Sequence, residues 1–186
     1  MNSNVAVKIL KEFTRCLDDK YFLVYGTCLG ANREQNIISH DLDIDIGIMR
    51  DDFKLSLLNN LVNSGFDIIQ IFGSLEVGLE ISFKKNGIKV DLMVFYIGEG
   101  RLWNSLWLNG GRNGLSDMIV HSYSEELFEI KELKVGDNYF YSLGEEYIKR
   151  VYGDDWKIPV KEWNWRTDHL CLDDSLRFKI LKKYGK

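Results

Sequence analysis

Apolar residues first recur at helical spacing, Ala6, Ile9, Leu10, Phe13 and Leu17, which predicts an amphipathic helix over 4–18. A short aromatic and β-branched run, Tyr21 to Tyr25, reads as a buried strand. Gly26-Thr27 breaks it and opens a short helix over 27–34, with Gly30 at a close contact. From Asp41 the period changes to two: Asp41, Asp43 and Asp45 alternate with Leu42, Ile44 and Ile46, so 42–48 is a strand with one apolar and one acidic face. Asp51 or Asp52 caps the next helix, whose Phe53, Leu57, Leu58 and Leu61 face the core and which stops before Gly65. Strands follow over 66–72, 75–83 and 88–97, and Asn86-Gly87 marks a hairpin between the last two.

Beyond 98 the pattern is broken by Gly, Asn and Trp. Trp103, Leu106 and Trp107 fit a strand, and 109–114 is a loop. Two strands over 128–135 and 138–142 turn at Gly136-Asp137. Ser142-Leu143-Gly144-Glu145 reads as a capping box for a helix through Tyr152, ended by Gly153, and a last helix covers 173–184. The expected fold class is α/β, a mixed sheet with helices packed on it. No repeat or linker divides the chain, so 1–186 is expected as a single domain, a core over about 1–100 carrying a C-terminal extension over about 101–186.

Composition narrows the classes. At 186 residues and 45% hydrophobic the chain can bury a real core, and a net charge of −4 argues against a broad nucleic-acid footprint. No apolar run reaches the roughly 18 residues of a membrane span, and no leader pattern opens the chain. Cys16, Cys28 and Cys171 are too widely spaced for a zinc knuckle and read as free thiols of a reducing compartment, so a cytoplasmic location is expected.

The chemistry concentrates on the acidic strand. Neighbouring carboxylates repel by about 1 kcal/mol per pair at 4 Å in water, and by more where water is excluded. Holding three together calls for a cation, and Mg²⁺ or Mn²⁺ suits oxygen ligands. Asp91, set in the otherwise apolar run Val90 to Val94, needs a partner, because an unpaired buried carboxylate is costly. If its strand lies beside 42–48, Asp91 joins Asp43 and Asp45 around the same cation, with room for a second. An EF-hand loop is disfavoured, because Ile46 stands where glycine belongs. An Asp-x-Asp glycosyltransferase leaves the upstream Gly-Thr turn unexplained, and a solvated edge strand leaves Asp91 unexplained. The Gly26-Thr27 turn, between a strand and a helix, offers N–H groups and a hydroxyl to an anion, and Arg33 can clamp a phosphate bidentately.

Together these features resemble the nucleotidyltransferase superfamily, and within it the LicD family, which includes bacterial phosphocholine transferases and the animal fukutin group. The resemblance rests on Gly26, Thr27, Leu29, Gly30 and Arg33, then on Asp41-Leu42-Asp43-Ile44-Asp45, and last on Tyr152-Gly153-Asp154-Asp155-Trp156 with Pro159 following. Ser39-His40 replaces the family's Pro-Trp, and Leu42 replaces its middle aspartate; Leu42 is expected on the apolar face, clear of the metal pair. His40 either takes over the tryptophan's packing or touches substrate. The zinc-binding cysteines of some members have no counterpart.

The resemblance implies a metal-dependent phosphotransferase acting in surface polysaccharide modification. It would move a phosphocholine, glycerol-phosphate or ribitol-phosphate group from a CDP-linked donor to a glycan hydroxyl. Asp43, Asp45 and Asp91 would hold Mg²⁺ or Mn²⁺, Gly26, Thr27, Gly30, Arg33 and His40 would face substrate, and Asp41 or Asp91 would be the base. Trp103, Trp107, Trp156, Trp163 and Trp165 stack on a sugar or cytosine, or simply pack the core. The alternative is a transferase that attaches a nucleotide to a small-molecule acceptor such as an aminoglycoside.

Overall fold

The structure, a computed structural model, describes residues 2–160 and 162–184. Helix α1 (Ser3–Arg15) is capped by Asn2, whose side chain accepts from the N–H groups of Asn4 and Val5. Its Phe13 ring meets Phe66 and Phe83 edge-on beneath the sheet. Strand β1 is only Phe22–Leu23, because the chain bends at Tyr25, at φ 43°, and enters α2 (Tyr25–Glu34) earlier than the pattern predicts. Strand β2 covers Asp43–Met49.

After β2 the N–H groups of Asp52 and Phe53 both bond to Met49 O, so the chain turns before it coils. Helix α3 (Leu55–Asn63) therefore starts late, with Lys54 at its cap position and no side-chain cap bond; Asp51 and Asp52 belong to the turn, which corrects the expected cap. Leu57 and Leu61 are buried as its spacing requires. Strands β3 (Asp67–Ser74), β4 (Gly78–Lys85) and β5 (Ile88–Gly98) follow. Asn86 and Gly87 both take positive φ, 51° and 81°, the hairpin turn their identity predicts.

Strand β6 (Arg101–Trp107) pairs along its length with β7 (Met118–Ser124), a strand the sequence pattern did not reveal. Both faces of β7 are largely covered, and its His121 and Ser122 are buried polar residues, so it shows no alternation. Strands β8 (Ile130–Val135) and β9 (Asn138–Leu143) form a hairpin around Gly136. Ser142 is buried at the end of β9 and its hydroxyl contacts Cys28 Sγ and Leu143 O. The expected capping box is thereby corrected: Gly144 caps α4 (Glu145–Tyr152) without a side-chain bond, and Glu145 and Glu146 favour the helix start by charge alone. Helix α5 (Asp174–Tyr184) closes the described chain.

The fold is α/β with a mixed sheet, ordered β3-β4-β5-β2-β1-β9-β8, with β6 and β7 continuing from the far end of β5. At its centre β2 and β5 run parallel, pairing Asp43 with Lys89 and Asp45 with Asp91. On the other side of β5, β4 is antiparallel and sets Ser82 opposite Asp91. Leu42 departs from the predicted pattern. It precedes the first residue of β2 and is 82% exposed, so it is not on the apolar face; Ile44 and Ile46, inside the strand, are fully buried.

Candidate active site

Side chains alternate across a pleated sheet, so the central register decides which groups meet. Asp43 and Asp45 on β2, Lys89 and Asp91 on β5, and Glu80 and Ser82 on β4 share one face. A carboxylate oxygen from each of Asp43, Asp45 and Asp91 lies within 4.8 Å of the other two. Asp91 also has the partners its burial demands: Ser82 Oγ donates to Oδ1 at 2.5 Å and Lys89 Nζ to Oδ2 at 2.6 Å. The same ammonium reaches Asp43 Oδ2 at 3.5 Å.

Burial and mutual repulsion mark these acids. Burial raises Asp45 well above the usual carboxylate range, helped by Asp43, Asp41 and Asp91. Asp91 is raised by burial against the pull of Lys89 and Ser82. Asp41, just before β2, is pushed up to about 6 by burial and by Asp43, although the Leu42 N–H and His40 favour its charged form. Glu80, 8% exposed, is pushed to about 8 by burial and then by Asp91. Lys89 is the ammonium set among Asp41, Asp43, Asp45, Glu80 and Asp91. This all-oxygen donor set is of the kind that could hold a hard divalent cation between Asp43, Asp45 and Asp91.

The Gly-Thr turn abuts this cluster. A Cβ on Gly26 would sit 2.6 Å from Asp41 Oδ2 and 3.4 Å from Asp45 Oδ2, so α2 approaches the acids so closely that any side chain at 26 must displace the Asp41 carboxylate. Thr27 is buried, and its Oγ1 accepts the Asp45 N–H at 2.8 Å, fastening α2 to β2. Gly30 faces the following loop rather than the acids: a Cβ there would lie 2.5 Å from Asn36 O and 3.1 Å from Ile38 Cγ1. Arg33 contacts Glu34 Oε1 through Nε and Nη2, and Nη1 donates to Trp156 O at 3.4 Å.

These groups open on a cleft of about 630 Å³ whose wall includes Gly26, Arg33, His40, Asp41, Trp156 and Trp163. Trp107 and Trp165 also line it, whereas Trp103 stacks on Tyr96 at 4.2 Å. Gly153, at φ 89°, ends α4 and sends Asp155 and Trp156 along the cleft, which explains where the Tyr-Gly-Asp-Asp-Trp stretch belongs. Glu80, Ser82 and Lys89 were missed from sequence. Their signal was present: Glu80 and Ser82 alternate with Leu79, Ile81 and Phe83, and Lys89 lies two residues before Asp91.

Residues 18–135 match the model of the LicD/FKTN/FKRP nucleotidyltransferase domain. A relative from Mus musculus, "Ribitol-5-phosphate transferase FKTN", is 32% identical over 168 residues, 88% of this chain and 34% of its own length. The Homo sapiens protein of the same name is 34% identical over 151 residues, 78% of this chain and 31% of its own. An uncharacterized protein of Caenorhabditis elegans is 37% identical over 176 residues, 89% of this chain and 42% of its own. The chain thus spans between 31% and 42% of the length of these relatives.

Proposed function

Since this chain belongs to the LicD/FKTN/FKRP nucleotidyltransferase family, we propose that it transfers a phospho-alcohol, with ribitol phosphate the first candidate, from a CDP-linked donor to a glycan hydroxyl. The observation that carries this reading is the convergence of Asp43, Asp45 and Asp91 beside Gly26. The names of the murine and human relatives favour ribitol phosphate as the moving group. Bound Mg²⁺ or Mn²⁺, held by Asp43, Asp45 and Asp91, would neutralise the donor's pyrophosphate and the charge that develops on it.

The chain's own groups supply the rest. Arg33 lies on the cleft wall, where its guanidinium can turn from Glu34 to a phosphate oxygen. At the start of α2 the Tyr25 N–H is taken by Tyr147 Oη, so the Gly26 and Thr27 N–H groups would be the ones offered to the same anion. The acceptor hydroxyl attacks the phosphorus that carries the alcohol, the bond from that phosphorus to the bridging oxygen breaks, and CMP leaves. Of the two candidate bases Asp41 is the better placed to take the hydroxyl proton. Both oxygens of Asp91 are engaged by Ser82 and Lys89, whereas Asp41 on the cleft wall accepts one N–H, from Leu42, on Oδ1.

The test is product analysis. The chain is incubated with Mg²⁺, a glycan acceptor and in turn CDP-ribitol, CDP-glycerol, CDP-choline, CTP and ATP. Release of CMP with phospho-alcohol on the glycan supports the proposal. Release of pyrophosphate from CTP or ATP, with nucleotide on the acceptor, replaces it with nucleotidyl transfer.

A further inference from the structure

A second convergence of ligating groups lies inside the fold. His121 on β7, His169 and Cys171 are all buried, and a ligating atom from each lies within 4.8 Å of the other two. His121 is fully buried and His169 is 5% exposed, yet Nε2 of His121 and Nδ1 of His169 have no hydrogen-bond partner. Buried ring nitrogens are ordinarily paired, and two orphans in rings whose centroids are 5.0 Å apart are a cost without a visible return. A shared ligand supplies the return.

The surroundings prepare His121 for that ligand. Tyr25 O–H donates to Asn104 Oδ1 at 2.9 Å, so the Tyr25 oxygen is left to accept from His121 Nδ1 at 3.0 Å. A proton on Nδ1 leaves the Nε2 lone pair free, the arrangement in which an outer-shell partner orients a ligating histidine. The backbone is fixed as well. His121 and Leu172 form an antiparallel bridge, and the Ser122 N–H donates to Cys171 O at 2.9 Å.

We propose that His121, His169 and Cys171 bind a zinc ion. Two imidazoles and a thiolate are a borderline-soft set suited to Zn²⁺, unlike the all-oxygen set of the cleft. Donor atoms around tetrahedral zinc stand about 3.3–3.8 Å apart, so closure asks for an inward shift of about 1 Å by the side chains. The fourth position falls to water. The ion would pin residues 169–172 to β7. It would also brace Tyr25, which stacks on His169 at 5.4 Å and holds a left-handed φ of 43° immediately before Gly26. The inference rests on this trio alone and stands whether or not the chain is a phosphotransferase.

The experiment loads the full chain with Co²⁺, then with Zn²⁺, in excess Mg²⁺ so that the carboxylate site is blocked. A thiolate-to-cobalt charge-transfer band should saturate at one ion per chain, persist in Asp43→Asn and disappear in Cys171→Ser. X-ray absorption at the zinc edge of the unmutated protein should give a shell of nitrogen and one sulfur, which decides the matter even if Cys171→Ser fails to fold. Absence of the charge-transfer band from the unmutated protein, its persistence in Cys171→Ser, or an all-oxygen zinc shell would each overturn the proposal.

Discussion

Asp45 stands directly opposite Asp91 across the parallel pairing of β2 and β5. A parallel sheet interior is usually apolar, so facing carboxylates at its centre are costly to fold unless something outside the sheet compensates them. Replacing Asp45 with Asn removes one of the repelling charges at nearly constant volume. In metal-free buffer Asp45→Asn should unfold at higher urea, by about 1 kcal/mol. Transfer activity should fall by at least about 100-fold, since losing even an outer-shell partner of a metal site costs 10–100-fold. Urea titration with EDTA and CMP release with Mg²⁺ check the two halves. Near-normal turnover would remove the carboxylates from the reaction.

Lys89 makes the opposite prediction. It is the ammonium against Asp91 and Asp43, and it is raised above its usual range by Asp91 even though burial lowers it. Its side chain is 35% exposed, so solvent screening reduces its worth. Lys89→Met should lower stability in EDTA by about 1–2 kcal/mol, below the cost of breaking a fully buried pair. Mg²⁺ should restore most of the loss, because the divalent ion takes over the neutralisation. A variant equally unstable with and without Mg²⁺ would show that Lys89 matters for packing rather than for charge.

These two residues show what the chain disclosed before its fold was known. The period of two in Asp43-Ile44-Asp45 identified a strand and its acidic face, because alternation is a local property. The same rule misplaced Leu42, since nothing in the sequence says that the strand starts one residue later. Asp91 was legible as a buried acid in want of a partner. That Ser82 and Lys89 were partners depended on a register set by the Asn86-Gly87 turn and the β2–β5 pairing. His121 and Cys171 lie far apart in sequence and β7 shows no alternation, so their meeting exists only in three dimensions.

Thr27 tests whether the Gly-Thr turn acts as a fastening. Its hydroxyl accepts the Asp45 N–H, and it is buried. Thr27→Val keeps the shape and orphans that N–H, which should cost about 1–3 kcal/mol. Thr27→Ser should keep most of the stability, because it keeps the oxygen. Thermal unfolding of the pair separates the two. Equal losses in Val and Ser would assign the effect to the methyl group's packing.

Gly26 bears on Asp41 instead. The atom nearest an added Cβ is Asp41 Oδ2, the free end of a side chain, so Gly26→Ala can be accommodated by swinging that carboxylate aside. Stability should change by less than about 1 kcal/mol, as for a substitution with no backbone clash. The turnover number should drop by about 10- to 100-fold with KM little altered, if Asp41 is the base, since a displaced general base costs the chemical step. A rise in KM alone would place the turn in donor binding and leave the base elsewhere.

Asp117 ties down the 109–117 loop that brings Gly110 to the cleft, and its charge state gives a prediction with a definite sign. The Asn113 N–H donates to Oδ2 at 2.9 Å, and the side-chain amides of Asn113 and Asn109 reach Oδ1 at 3.0 and 3.2 Å. The Asn113 N–H is the main cause that holds this carboxyl below the usual range. A carboxyl depressed in the folded state binds fewer protons there than in the unfolded chain. Its contribution is therefore complete above the ordinary carboxylate pKa and is lost as pH falls toward the lowered value. Asp117→Asn should be less stable than the parent at neutral pH, and the gap should narrow on acidification below the carboxylate range. Denaturation curves for both proteins along that series would show it, and a gap constant with pH would mean that the loop is held by packing rather than by the ionised carboxylate.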